Sequence, residues 1–147
     1  MKNEILTQLQ KNGIYINDSF FSNIEKDNLK KDFSKNVEHL KFYINNFEEV
    51  KQISNTLYNF LNRDYIQYIL TNYLDGTPKC SVILFSETKP QIKKDDLTNI
   101  SEGSLLGFHN DDSGKQIKIN ILLNDLDKNS NGLEYAVSSH RISFLDK

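Results

Sequence analysis

Apolar positions in the first two-thirds of the chain recur at helical spacing. Ile5, Leu6 and Leu9 form a stripe over the opening residues, and Gly13 then offers the left-handed position that ends a helix. Ile14-Tyr15-Ile16 reads as a short extended piece. Asn17 or Asp18 is placed to cap a second helix carrying Phe20, Phe21 and Ile24. Phe47, Val50, Ile53, Leu57 and Phe60 follow one another at three and four residues. That period predicts one amphipathic helix from about Asn46 to Leu61. Asp64 is placed to cap a last helix, with Tyr65, Ile66, Tyr68, Ile69, Tyr73 and Leu74 running to Gly76. These aromatics read as core residues.

The pattern changes at Thr77-Pro78. Beyond it the apolar runs are short: Val82 to Phe85, Leu105 to Phe108, Ile117 to Leu123, and Leu133 to Val137. In the third, Ile117, Ile119, Ile121 and Leu123 alternate with Lys118, Asn120, Leu122 and Asn124, the period of a strand. The stretch from Pro90 to Glu102 is polar and without period, a long loop. No repeat and no linker divides the chain. The expectation is a single domain over residues 1–147, mainly helical to about residue 76 and β-rich from about 77. Helices gathered before strands describe an α+β class rather than alternating parallel α/β.

Composition narrows the partners. Hydrophobic residues make up 37% and charged residues 26% of the 147, and the formal net charge is −2. Mixed charge of that kind gives no basic surface for nucleic acid. No stretch approaches the roughly 20 apolar residues of a membrane span, and the opening Met1-Lys2-Asn3-Glu4 is unlike a signal peptide. A soluble, cytoplasmic protein is expected. The one cysteine, Cys80, rules out an internal disulfide and fits a reducing compartment. Its neighbours from Ser81 to Phe85 read as a buried strand, so Cys80 is expected in the core rather than as a nucleophile.

The residues that carry chemistry are Phe108-His109-Asn110-Asp111. A histidine and an acid two positions apart at a strand end can point one nitrogen and one oxygen at the same metal ion. With a distant second histidine they would make a facial triad that leaves three positions open, a set suited to Fe(II) and O2.

The run from His109 through Lys118 and Ile121 to Leu126-Asp127, then the Asn131-Gly132 turn and Val137-Ser138-Ser139-His140-Arg141, resembles the central stretch of the phytanoyl-CoA dioxygenase family. Leu9 to Ile16 is similar to that family's opening helix, glycine turn and strand. The middle helices match only in type. The resemblance implies N-terminal helices packed on a double-stranded β-helix, a jelly-roll core of which this chain carries part. It implies Fe(II) held by His109 and Asp111, and 2-oxoglutarate as cosubstrate with Lys118 and Ile121 beside it. The reaction implied is hydroxylation of an unidentified small organic or acyl substrate by O2. The match departs at the corner, where Val137-Ser138-Ser139-His140 lacks the family's Pro-Gly. It implies that the second iron histidine and the 2-oxoglutarate-binding arginine lie beyond Lys147. His140 matches the structural corner histidine, and the 29 residues from Asp111 to it hold too few strands for the distal ligand.

Two other readings stand beside this one. The first is a non-catalytic remnant or binding module of the same fold, short of the third iron ligand. The second is a calcium-binding structural domain through Asp127 to Asn131, whose oxygens and Gly132 fit the first six places of an EF-hand loop. That loop needs a bidentate acid at its twelfth place, where Ser138 stands. Asn131-Gly132 is more economically a hairpin turn, since both residues tolerate positive φ.

Overall fold

The computed structural model describes residues 2–36, 41–86, 116–125, 135 and 137. α1 (Lys2–Asn12) buries Ile5 and stops where expected, at Gly13. Gly13 has φ 76°, and its amide donates to the Leu9 carbonyl at 2.9 Å. Glycine meets that left-handed backbone without the steric cost of a Cβ. α1 lies against α5 (Asp64–Leu74), which buries Ile66 and Ile69. Two polar contacts help hold the pair. The Tyr68 hydroxyl donates to Asn3 Oδ1 at 3.1 Å, and the Lys2 ammonium stands 5.4 Å over the Tyr68 ring.

The second helix begins later than Asn17 or Asp18. α2 runs Asn23–Lys35, with Ser22 as its N-cap. Ser22-Asn23-Ile24-Glu25 is a capping box: the Glu25 amide donates to Ser22 Oγ at 3.3 Å, and the Ser22 amide to Glu25 Oε2 at 2.8 Å. Satisfying two amides at once favours this start. Asn17 instead closes a turn, accepting from the Ser19 amide at 2.8 Å. Phe20 and Phe21 therefore fall in the connection, where both rings meet Phe60, at centroid distances of 6.0 and 4.5 Å.

The single helix expected from Asn46 to Leu61 is two helices, α3 (Phe47–Ile53) and α4 (Asn55–Leu61), broken at Ser54. Ser54 is extended (φ −152°, ψ 110°) and only 1% exposed. Its Oγ accepts from the Leu57 amide at 3.1 Å, capping α4, and donates to Asp32 Oδ2 on α2 at 2.6 Å. Its amide reaches the Val50 carbonyl and its carbonyl accepts from the Tyr58 amide, so both helix ends are satisfied through one residue. The apolar period crosses the break unchanged, which hides it from the sequence pattern.

β1 (Lys41–Tyr43) lies in the part expected to be mainly helical. It pairs antiparallel with β2 (Val82–Leu84), Phe42 opposite Ile83. The Ile44 amide extends the pairing to the Ser81 carbonyl at 2.9 Å. The inner face places Ile83 and Phe85 on Val50, with Phe33, Phe42, Phe47, Ile53 and Leu57 around them. Phe85 meets Phe33 and Phe42 edge-on at 5.9 and 6.2 Å, the arrangement aromatic quadrupoles favour. The two-stranded sheet thus fastens residues before α3 to residues after α5, closing one core over both.

Arg63 is the N-cap of α5 and caps with no side-chain hydrogen bond, so the expected cap Asp64 is the first helical residue. The guanidinium of Arg63 does other work. It donates to the Phe20 carbonyl at 2.6 Å, to Tyr65 Oη at 3.2 Å and to the Glu25 carboxylate. It also stands over the Phe21 and Phe60 rings at 5.8 and 5.3 Å. At the other end of α5 the left-handed residue is Asp75 (φ 59°), one place before Gly76. The Asp75 and Gly76 amides both go to the Thr71 carbonyl.

The expected strand Ile117–Leu123 is not hydrogen-bonded into a sheet among the described residues. Its alternation survives in part: Ile117, Ile121 and Leu123 are half-buried, Lys118, Asn120, Leu122 and Asn124 exposed, and Ile119 exposed against the pattern. Leu105 to Phe108, and all of Leu133 to Val137 except Tyr135 and Val137, lie outside the described residues. So does most of the expected double-stranded β-helix.

Ser54→Ala should cost about 2 kcal/mol in urea unfolding, since it removes a cap and leaves the Asp32 carboxylate without its hydroxyl. Asp32→Ala should cost somewhat less, and the double variant little more than Ser54→Ala alone; fully additive costs would show that the two side chains do not act together.

Asp75→Gly should raise stability by about 0.5–1 kcal/mol by relieving the left-handed backbone, read as a shift in urea midpoint.

The hydrogen bond from the Ser22 amide, the Ser22 hydroxyl and the Arg63 charge together hold the Glu25 carboxyl below its ordinary value. A folded pKa below the unfolded one means stability that is present at neutral pH and lost as pH falls through the folded value. Glu25→Gln keeps the capping box but not the charge. It should therefore be less stable than the parent at about pH 7, the gap narrowing as pH falls below the ordinary carboxylate range and through the lowered folded value.

Candidate functional site

The described residues nearest in sequence to the metal motif are 116–125. The end of that segment, Leu123-Asn124-Asp125, runs beside the N-terminal half of α2. With Asn23, Lys26, Asp27 and Lys30 it forms an open polar groove of about 320 Å³. The helix explains the lining. Asn23 and Asp27 are four residues apart, as are Lys26 and Lys30, so two adjacent rows of one helix face supply all four side chains. The lining carries two lysines, Lys26 and Lys30, and two aspartates, Asp27 and Asp125. The groove has room for water and a small polar group, and its balanced charge selects neither an anion nor a cation.

The sequence-predicted site is spread unevenly over the described chain. His109 and Asp111, the expected Fe(II) ligands, lie outside the described residues. So do His140, the calcium candidates Asp127 to Asn131, and His39, which completes the chain's three histidines. Lys118 is exposed and Ile121 half-buried, in keeping with opposite faces of the alternating segment. Neither lines the groove, which begins two residues after Ile121. Among the described residues, no three His, Cys, Asp or Glu side chains gather closely enough to hold a metal ion.

Residue 135 links the late part of the chain to the helices. Burial raises the pKa of the Tyr73 phenol on α5, and the nearby Tyr135 phenol raises it further. Cys80 is half-buried against the Val50, Ile83 and Phe85 core, its thiol 3.9 Å from the Val82 carbonyl. The same burial raises the thiol pKa, which keeps it protonated. The strand expected to be buried beside Cys80 is buried on one face only: Ile83 and Phe85 are covered, while Ser81, Val82 and Leu84 are exposed.

Sequence reasoning passed over the groove and the Arg63 clamp. A Ser-x-x-Glu box at Ser22 was there to be read, and it fixes the start of the helix that lines the groove. No local signal tells that residues 123–125 come to rest on that helix.

No helix among the described residues is long and apolar enough to cross a membrane. Comparison of the chain with protein-family models, with curated proteins and with solved structures finds no match.

Native Cys80 should react with a thiol reagent at neutral pH roughly ten-fold more slowly than the same chain in urea, because burial both shields the sulfur and lowers its thiolate fraction. Equal rates, followed by absorbance of the released chromophore, would show that the thiol is not packed as described.

Proposed function

We propose that this chain carries the iron-binding segment of an Fe(II)- and 2-oxoglutarate-dependent oxygenase of the phytanoyl-CoA dioxygenase type. The observation that supports the reading is the Phe108-His109-Asn110-Asp111 motif, followed by a strand-patterned run through Lys118 and Ile121 to the Asn131-Gly132 turn. Helices α1 to α5 precede that run, the order the reading calls for.

The donor chemistry fits the metal. One neutral imidazole and one carboxylate are ligands that Fe(II) accepts while keeping positions open for other groups. His109 and Asp111 would hold it. When bound, the metal and 2-oxoglutarate supply the oxidising chemistry that places an oxygen from O2 on an unactivated carbon. The chain's part is to hold and orient. Ile121, half-buried, offers an apolar wall to such a site; Lys118 stands on the opposite, exposed face of the segment, so its ammonium reaches the same site only along its flexible stem. The substrate proposed is a small organic or acyl compound.

Thermal unfolding with Mn(II), a redox-quiet stand-in for Fe(II), and 2-oxoglutarate gives the first test. The expected result is stabilisation that His109→Ala and Asp111→Ala each abolish. With Fe(II) and O2, any succinate formed by the parent should be lost in either variant. His39→Ala and His140→Ala then ask which further histidine, if either, belongs to the set. Metal stabilisation without succinate would favour a binding module. Stabilisation by Ca(II) alone, lost in Asp127→Ala, would replace the iron reading with the calcium one.

A further inference from the structure

We draw no further inference here: the strongest candidate, the apolar outer face of the two-stranded sheet where Tyr43, Val82 and Leu84 stand exposed, carries nothing because nothing in the structure shows what covers it.

Discussion

A buried hydroxyl sets the course of the helical region. Ser54 is almost wholly enclosed, and an enclosed hydroxyl without partners is costly. Its partners are the Leu57 amide on one side and the Asp32 carboxylate on the other. Meeting both requires extended backbone at residue 54, and extended backbone there ends one helix and begins the next. The break has packing consequences on each side. α3 turns Val50 and Ile53 toward the sheet, while α4 carries Phe60 to the rings of Phe20 and Phe21. A continuous helix would hold Val50 and Phe60 on one straight stripe, facing one neighbour.

Arg63 plays the matching part where the chain enters α5. One planar guanidinium engages a backbone carbonyl, a phenol and a carboxylate while lying over two aromatic rings. Lysine, a point charge without a plane, has no equivalent set of contacts. The clamp joins the connection before α2, the cap of α2 and the start of α5. Side-chain exposures of 27% for Arg63 and 29% for Glu25 place the ion pair at the surface. Its weight therefore lies in fixing geometry more than in Coulomb energy. The two-stranded sheet adds another long-range tie, bringing Phe42 and Ile83 together and setting Phe85 on Phe33.

These ties make α2 a fixed wall. It is capped at Ser22, held through Glu25 to Arg63 and through Asp32 to Ser54, so the Lys26 and Lys30 side of the groove stands on an anchored helix. The other side of the groove is the segment Leu123-Asn124-Asp125.

The sequence by itself determined the features whose partners lie within one helical turn. Gly13 ends α1 because only the local backbone is involved, and the Ser22 to Glu25 box starts α2 for the same reason, although Asn17 and Asp18 were equally plausible caps on residue type alone. The run from Val82 to Phe85 was legible as a strand from its β-branched and apolar residues, and β2 covers Val82–Leu84 of it, whereas β1 falls where helix was expected. The iron-binding reading of His109 and Asp111 rests on residue types, their spacing and a family resemblance, and both residues lie outside the described ones. Tertiary structure alone decided the break at Ser54, whose deciding partner is Asp32 on another helix. It alone decided the pairing of β1 with β2 and the meeting of residues 123–125 with α2. Periodicity records which face of an element is apolar. It is silent on which distant side chain will satisfy a buried polar group, and here such a group decided where the helices divide.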